Sequence, residues 1–176
     1  KRKEGNTERY LYETEFMDKA GRRVPVEVSS SPIKQDGRIS GILLVARDIT
    51  ERKRAREALA ESEERFRRAI IDAPFPIMIH AEDGEVIQIN TTWTELTGYT
   101  HAEIPTIDAW TEKAYGQRQA AVQASIDKLY QLDGKVAEGR YEIKAKDGAS
   151  IIWEFSSSPL GRLPDGRRLV ISIAFD

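Results

Sequence analysis

The stretch GEVIQINTTWTELTGYTHAEI, residues Gly84–Ile104, contains the most informative local pattern of the chain. Val86–Ile89 is rich in β-branched residues and predicts a strand. Asn90 follows directly and suits the N-cap of a short helix over Thr91–Thr97, and Gly98 suits the position just after that helix ends. This segment therefore predicts a strand that leads into a capped helix.

The segments on either side of this stretch predict a complete α+β module. A strand at about Pro76–Ala81 precedes it across an Asp-Gly turn. A capping box at Thr100–Glu103 predicts another short helical turn. Apolar spacing from Tyr115 to about Leu132 predicts the longest helix of the module. Three further strands are predicted at about Glu138–Lys146, Ala149–Leu160 and Arg168–Phe175. We expect one antiparallel five-stranded sheet with its helices on one face.

The sheet is expected to have one buried face and an interior pocket. Ile151, Trp153 and Phe155 alternate along one strand and share a face. Short helices cover such a face loosely, which favours a pocket between helices and sheet. The triple serine Ser156–Ser158 is interpreted as structural, because no Gly-x-Ser-x-Gly turn surrounds it.

The chain contains an internal repeat. EFMDKAGRRVPVEVSSSPI, from Glu15, aligns with EIKAKDGASIIWEFSSSPL, from Glu142, and the aligned positions include a glycine, the triple serine and the proline after it. Further on, QDGRISGILLVARD aligns with PDGRRLVISIAFD with small gaps, so that Asp48 corresponds to Asp176. Residues 1–48 are therefore interpreted as the three last strands of one module, and residues 69–176 as a complete second copy.

A charged stretch between the two copies predicts a helix. DITERKRAREALAESEERF begins at Asp48, and neither proline nor glycine occurs from Ile49 to about Asp72. Glu–Arg pairs four residues apart support a solvated helix. Small or apolar residues form a thin heptad seam of Ala55, Leu59, Ser62, Phe66 and Ala69. Two interpretations stay open: a single helix packed on its own domain, and a parallel dimer seam, which we favour because two such helices would bury the stripe on each other.

Composition excludes several kinds of chemistry. The net charge of −2 and pI of about 5.9 give no field that favours nucleic acid or an anionic membrane. No apolar run reaches the roughly 18 residues of a membrane helix. Cysteine is absent, which excludes disulfides, thiol nucleophiles and Cys-based metal sites. Only two histidines occur, His80 and His101, which argues against a metal site. We expect a cytoplasmic region without nucleic-acid or membrane contacts.

These motifs together resemble PAS sensory domains. The strand ending in Asn, the helix and the Gly-Tyr of Gly84–Ile104 resemble the opening of such a domain. DGRISGILLVARDITERKRAREALAESEERFR, from Asp36, resembles the end of one, with an Asp-Ile-Thr-Glu boundary that leads into a signalling helix. The resemblance assigns residues 1–48 to the C-terminal (PAC) part of a first domain, 49–68 to a helical linker and 69–176 to a complete second domain.

The resemblance implies an internal ligand cavity, dimers formed through flanking helices, and a place upstream of an output unit such as a histidine kinase or a diguanylate cyclase. We therefore expect a region that senses a small molecule or an upstream conformational signal and relays it through the linker. The sequence has no P-loop, kinase histidine box, cyclase motif or metal triad, so no catalysis is assigned to it. A ligand-free dimerisation and relay module and a non-covalent flavin redox sensor stay open as alternatives.

By analogy with the family, and by strand or helix face, eight residues are expected to line the cavity. The apolar and aromatic candidates are Trp110, Tyr115, Ile126, Tyr141, Trp153 and Ile171. The polar candidates are His80 and Gln88, since a cavity needs a few polar groups to orient a ligand. Photoactive flavin members of the family form an adduct with a cysteine. This sequence contains no cysteine, which excludes covalent flavin photochemistry here. Haem-binding members use a histidine on the longest helix, where this sequence has none, so haem is not expected.

The first 48 residues are expected to need a partner surface. Three strands with an apolar face do not stabilise themselves in isolation. We expect a second copy of the chain, as a homodimer or by strand exchange, or the second domain, to cover them.

Overall fold

The computed structural model describes residues 10–176. The chain divides into two compact units, Lys1–Glu64 and Arg65–Asp176, called the first and the second unit below. The interpretation of residues 1–48 as the end of a domain includes residues 1–9, which lie outside the described residues.

The first unit contains a three-stranded antiparallel sheet. Its strands are β1 (Tyr10–Met17), β2 (Arg23–Gln35) and β3 (Arg38–Asp48), in the spatial order β1-β2-β3. Val26 and Val28 on the central strand are buried, and so is Ile49 just after β3. Many other apolar side chains of the sheet are exposed: Tyr10, Leu11, Tyr12, Phe16, Met17, Ile33, Ile39, Ile42, Leu43, Leu44 and Val45. This sheet therefore has more apolar surface than the first unit covers.

The long helix α1 (Thr50–Ile71) confirms the helix predicted from the charged stretch. It begins after Asp48, whose side chain accepts a hydrogen bond of 2.8 Å from the backbone N–H of Thr50. Arg52 on its first turns contacts Glu13 at 2.9 Å and Glu27 at 3.4 Å within the first unit. No residue of α1 is buried. Of the heptad seam, Ala55, Leu59, Phe66 and Ala69 are exposed and Ser62 is half-buried.

The second unit has the predicted five-stranded antiparallel sheet with helices on one face. Its strands are β4 (Ile77–Ala81), β5 (Val86–Ile89), β6 (Val136–Lys144), β7 (Ser150–Arg162) and β8 (Arg168–Phe175), in the spatial order β5-β4-β8-β7-β6. Its helices after α1 are α2 (Thr91–Thr97), α3 (Ile107–Tyr115) and α4 (Gln119–Leu129). The α+β expectation is confirmed.

Both faces of the sheet are apolar near its centre. On the helix side, Trp93, Trp110, Ile143 and Trp153 belong to the main core. A second group of apolar residues, called the outer cluster, packs on the other face: Ile70, Ala73, Ile77, Ile79, Ile87, Leu169, Ile171 and Ile173. Ile70 is the contribution of the C-terminal end of α1 to this cluster.

The pairing of strands supports the internal repeat. In the first unit Glu13 pairs with Glu27, and in the second unit the aligned residues Arg140 and Glu154 are paired. The third strands also correspond, because Val28 pairs with Ala46 where the aligned Phe155 pairs with Ala174. The two three-stranded segments therefore share one register over this part.

Asn90 fixes the start of α2 as the sequence predicts. Its side-chain oxygen accepts hydrogen bonds from the backbone N–H of Trp93 at 3.0 Å and of Ile77 at 2.9 Å. Gly98 ends the helix with a φ of 74°. Only half of the predicted capping box forms: the backbone N–H of Thr100 donates to the Glu103 carboxylate at 3.0 Å, but the Thr100 hydroxyl also donates to that carboxylate and does not accept from the Glu103 N–H. These residues make a turn rather than a helix.

The prediction of one long helix from Tyr115 to Leu132 is wrong. Tyr115 is the last residue of α3, and Gly116 follows with a φ of 54°, which breaks the helix. A 3₁₀ turn over Gly116–Arg118 then leads into α4. Among the described residues, no helix has both the length and the apolar character that crossing a membrane requires.

Candidate functional site

A small cavity lies between the sheet and the helices of the second unit. Its volume is about 30 Å³, which is room for about one or two water-sized molecules. The lining residues come from β4, β6, β7, β8 and from helices α2, α3 and α4: Met78, His80, Trp93, Ile107, Trp110, Tyr115, Val122, Ser125, Ile126, Glu138, Tyr141, Phe155 and Ser172.

One side of the cavity is a continuous row of aromatic rings, called the aromatic wall. It comprises Trp110, Tyr115, Tyr141 and Phe155. Consecutive ring centroids lie 6.1, 6.2 and 5.9 Å apart, and consecutive rings are inclined at 80°, 78° and 76°. Edge-to-face pairs of this kind are mutually attractive, so the wall is a packed structure that also presents ring faces at several orientations.

Three polar lining residues, His80, Glu138 and Ser172, belong to a hydrogen-bonded chain of side chains, called the polar cluster. His80 contacts the Tyr130 hydroxyl through Nδ1 at 2.7 Å and the Ser172 hydroxyl through Nε2 at 3.1 Å. The hydroxyls of Ser172 and Ser157 are 2.6 Å apart, and the Ser157 hydroxyl donates to the Glu138 carboxylate. The polar cluster thus runs from Tyr130 to Glu138.

A single direction of donation satisfies this chain. Each serine has one hydroxyl proton, so Ser157 donates to Glu138 and Ser172 donates to Ser157. The Nε2–H group of His80 then donates to Ser172, and Nδ1 accepts from the Tyr130 hydroxyl. His80 is neutral in this arrangement, and the Glu138 carboxylate is the final acceptor. Such a chain orients every member through its neighbours.

Burial sets the protonation of the cluster. It lowers the pKa of His80 to about 4, which keeps the imidazole neutral near neutral pH. It raises the pKa of the Tyr130 hydroxyl, and also that of Tyr115 in the aromatic wall, so both stay protonated. Burial also raises the pKa of the Glu138 carboxyl, although the hydrogen bond from Ser157 acts in the opposite sense.

A β-bulge places Glu138 at the cavity. On β6, Ala137 pairs with Ser156 and Gly139 pairs with Phe155, so Glu138 between them has no partner on β7. Gly139 has a φ of 97°, a conformation that favours glycine. Bulges commonly redirect one side chain at a functional position. Here the extra residue puts a carboxyl group among the lining residues of the cavity.

Five of the eight candidate residues line the cavity. They are His80, Trp110, Tyr115, Ile126 and Tyr141. The structure thus brings one of the two polar candidates and four of the six apolar or aromatic candidates to one place. Their part in ligand binding stays a prediction.

The other three candidates lie elsewhere. Trp153 is fully buried in the core and packs edge-to-face against Trp93 with ring centroids 5.2 Å apart, but it does not line the cavity. Ile171 belongs to the outer cluster, because alternation along β8 turns Ser172 and not Ile171 toward the helices. Gln88 pairs with Ile79, another member of the outer cluster, and therefore lies on that face.

The bulge on β5 explains the error for Gln88. Met78 pairs with Ile89 and His80 with Val86, so one extra residue is inserted on β5 between these pairs. Strict alternation would put Gln88 and Val86 on one face, whereas the insertion separates them. A bulge depends on the partner strand, and no pattern within Val86–Ile89 indicates it.

Sequence reasoning missed most of the polar cluster. Ser157 and Ser172 are hydroxyl residues on strands read as apolar, and Glu138 was expected at the beginning of a strand. The Glu-Gly pair at Glu138 and Gly139 is the one local signal that could indicate a bulge. Two further buried donors, the indole N–H groups of Trp93 and Trp153, have no acceptor among the described residues.

Comparisons with known proteins identify a family model, a curated relative and several solved structures that are similar to this chain. A family model described as PAS domain matches residues 1–51 and 74–176. A curated relative, the uncharacterized protein y4lL of Sinorhizobium fredii (strain NBRC 101917 / NGR234), is 32% identical over 116 residues, which are 66% of this chain. The chain spans 14% of the length of that relative.

Two solved structures show the same fold at low sequence identity. The PAS domain of an HTR-like protein from Haloarcula marismortui is similar with a TM-score of 0.58 and 19% identity, over 70% of this chain and 98% of that one. A domain of the sensory box sensor histidine kinase/response regulator from Geobacter sulfurreducens has a TM-score of 0.50 and 22% identity, over 65% of this chain and 95% of that one.

Proposed function

Because the chain belongs to the PAS domain family, we propose that it is the sensory and relay region of a larger signalling protein. In this proposal residues 1–48 are the C-terminal part of a first PAS domain, residues 49–68 are a helical linker, and residues 69–176 are a complete second domain. The region senses a small molecule or an upstream conformational signal and passes it to an output domain outside this sequence.

The observation that carries the proposal is the double role of strands β4 and β8. Met78, His80 and Ser172 on these strands line the cavity. Their neighbours Ile79 and Ile171 belong to the outer cluster, on which Ile70 of α1 packs. Any change of the sheet around the cavity therefore acts directly on the packing of the end of α1. A strand cannot shift one set of side chains without the other, because alternate residues share one backbone.

The proposal includes an output unit of the histidine kinase or diguanylate cyclase class. This chain spans only 14% of the length of its curated relative. That coverage supports the proposal that the chain is one region of a much longer protein. The neighbour from Geobacter sulfurreducens belongs to a sensor histidine kinase/response regulator, which supports a two-component output. No catalysis is assigned to this chain, so an assay of the purified chain for autophosphorylation and GTP turnover is expected to show no activity above a buffer control.

The proposal also includes a homodimer in the cytoplasm, formed through α1 and the first unit. The exposed seam residues of α1 and the exposed apolar side chains of β1 and β3 support it. A stripe of this kind gains burial when a second copy supplies the other half.

The size of the cavity limits which ligands the second unit could bind. A volume of about 30 Å³ is roughly a tenth of the smallest pockets that hold drug-sized ligands. A flavin would therefore require the aromatic wall to move apart. The geometry favours a ligand of a few heavy atoms, and the ligand-free relay module remains the second candidate because most of the interior is filled by side chains.

Mass spectrometry under native conditions, together with the visible absorption spectrum of the purified chain, tests this function. We expect a retained small molecule, or an upward shift of the melting temperature with a member of a metabolite panel, because a ligand that binds only the folded state stabilises it. A flavin spectrum would favour the redox-sensor alternative. No retained mass and no shift with any compound would contradict the sensory part of the proposal and leave the relay part.

A further inference from the structure

We propose that the cavity of the second unit binds a small organic cation, a primary ammonium of about the size of methylammonium, between the Glu138 carboxylate and the aromatic wall. This inference rests on the proposed function and specifies the chemical class of its ligand. Four observations support it. Three concern the cavity: the Glu138 carboxylate without a cationic partner among the described residues, the aromatic lining and the small volume. The fourth is a comparison with the aligned positions of the first unit.

The Glu138 carboxylate has no cationic partner. It is half-buried and accepts a hydrogen bond from Ser157, and none of the ion pairs described between residues 10 and 176 includes it. Arg118 contacts the exposed Glu142 instead, at 3.7 Å from its carboxylate and 2.7 Å from its backbone oxygen. A carboxylate removed from water without an opposite charge is destabilised, and a bound cation would offset that loss.

The aromatic wall suits a cation more than an anion. Trp110, Tyr115, Tyr141 and Phe155 line the same cavity as Glu138. Aromatic ring faces carry negative electrostatic potential and attract ammonium groups, most strongly where water is excluded. The neutral imidazole of His80 and the hydroxyl of Ser125 complete the lining. Within the described part of the chain no Lys or Arg side chain lines the cavity, so none of these lining groups is cationic while His80 is neutral.

The volume limits the size of the cation. A cavity of about 30 Å³ holds about one or two water-sized groups. Ammonium or methylammonium has that size, whereas a quaternary ammonium with several methyl groups would require the aromatic wall to open. The ligand class is therefore a primary ammonium that donates hydrogen bonds to the carboxylate.

The first unit lacks this arrangement although it repeats the same strands. The alignment that pairs Glu15 with Glu142 puts Leu11 at the position of Glu138, and Leu11 pairs with Ser29 without a bulge. The first unit has Leu44 opposite Ser30 where the second unit has Ser172 opposite Ser157. The bulge and the polar cluster are thus specific to the second unit and are not a consequence of the fold.

Tryptophan fluorescence of the whole chain, titrated with methylammonium chloride, tests the inference, because Trp93 and Trp110 line the cavity. Sodium chloride at the same ionic strength is the reference. We expect a saturable change with methylammonium and an affinity at least about tenfold lower for Glu138→Gln, which removes the charge and keeps the shape. The matched control is Glu142→Gln on the exposed face of the same strand, which should bind as the unchanged chain does.

Methanol and formate, as neutral and anionic probes of similar size, separate the outcomes. Methanol could accept a hydrogen bond from the unpartnered indole of Trp93. If methanol or formate binds as well as methylammonium, or if Glu138→Gln binds methylammonium with unchanged affinity, the proposal of a cationic ligand is wrong. The proposed function as a small-molecule sensor is then unaffected. If none of the three probes binds, this inference is overturned, and the native mass spectrum alone decides the proposed function. Circular dichroism verifies that each variant is folded.

Discussion

His80 is a histidine that the interior of the second unit holds in its neutral form. Its side chain is 1% exposed, and both ring nitrogens have hydrogen-bond partners, Tyr130 and Ser172. The chain of donors that passes through it ends on Glu138. Protonation of His80 would add a proton at Nδ1, where the neutral ring accepts a hydrogen bond from Tyr130, so the Tyr130 hydroxyl would have to turn away and accept instead.

The stability of the second unit should fall as the pH is lowered from about 7 to about 4.5, with His80 as one cause. Burial lowers the pKa of folded His80 to about 4, whereas an unfolded histidine has a pKa of about 6.5. The unfolded state therefore binds a proton in this window and the folded state does not, so folding loses up to about 3 kcal/mol from this residue. Urea unfolding at both pH values measures it.

The matched comparison for this prediction is His80→Gln against His101→Gln. His101 lies on a turn and contacts the backbone oxygen of Val86. The decline with falling pH should be smaller in His80→Gln than in His101→Gln, in which the buried histidine is kept. Burial raises the pKa of Glu138, so this carboxyl contributes with the opposite sign, and only the difference between variants isolates His80. Equal slopes in all three proteins would contradict the neutral, buried state of His80.

Asn90→Ala should destabilise the second unit by about 2–4 kcal/mol. Asn90 is 1% exposed, caps α2 and accepts from the backbone of Ile77, while its amide donates to the backbone oxygens of Ala73 and Phe75. The substitution removes the acceptor of the buried backbone N–H groups of Trp93 and Ile77, whereas the Ala73 oxygen still accepts from the Thr92 hydroxyl at 2.6 Å. Chemical unfolding measures the loss, with Thr91→Ala on the exposed side of the same helix as a control that should change stability little.

Single residues show which parts of the site could be predicted from the sequence. The cap at Asn90 could be predicted because it depends on neighbours a few positions away. Tyr115 and Tyr141 could be placed near the cavity because periodicity gives the buried face. Gln88 and Glu138 could not, because each depends on a bulge that only the pairing with another strand defines.

At the scale of elements, α1 combines a solvated surface with an unused apolar seam. Leu59 and Phe66 are 60% and 71% exposed, and Ala55 and Ala69 beside them on the seam are exposed too. Large apolar side chains recurring at heptad spacing on one face are typical of a surface that pairs with a second helix. The seam therefore belongs to the proposed dimer.

Substitution of Leu59 and Phe66 together by aspartate should convert a dimer of the whole chain into a monomer, because two like charges would face each other in a parallel seam. Light scattering coupled to size-exclusion chromatography measures the mass. Arg54→Asp is the control, since it changes the net charge by the same amount from an exposed position outside the seam. A monomeric unchanged chain, or a dimer that survives the double substitution, would contradict the proposal.

Elements differ in how well the sequence predicts them. The strands of both repeats, α1 and α2 could be predicted because alternation, charge pairs and caps are local signals. The segment from Tyr115 to Leu132 could not be divided correctly, because its apolar spacing continues across Gly116 and one glycine can occur within a helix. The positive φ of Gly116, 54°, is the feature that ends α3, and the residue type alone does not reveal it.

At the scale of the whole molecule, one repeated strand arrangement serves two different purposes. In the second unit it forms a cavity with a polar cluster, whereas in the described part of the first unit Leu11 and Leu44 stand at the positions of Glu138 and Ser172. The internal repeat is visible in the sequence, and the domain order inferred from it stays a prediction. The difference between the copies depends on the bulge at Glu138 and on Ser172. Both are defined by the pairing of their strands with β7, which the local sequence does not show.

The continuity of α1 gives the relay a physical basis. The helix begins at Thr50, after strand β3 of the first unit, and ends at Ile71 of the second unit, where Ile70 packs in the outer cluster behind the strands that line the cavity. Coupling between two sites is reciprocal, so occupation of the cavity must alter α1 if a movement of α1 is to alter the second unit. A ligand that binds two arrangements of the second unit with equal affinity would not change their relative populations, and so would not act on α1.

Hydrogen–deuterium exchange of α1, followed by mass spectrometry in methylammonium chloride and in sodium chloride of equal ionic strength, tests this coupling most directly. The account predicts slower exchange in the strands around the cavity and a changed rate in the last turns of α1, with both effects lost in Glu138→Gln. Saturable binding in the fluorescence titration with no change in the exchange of α1 would contradict it.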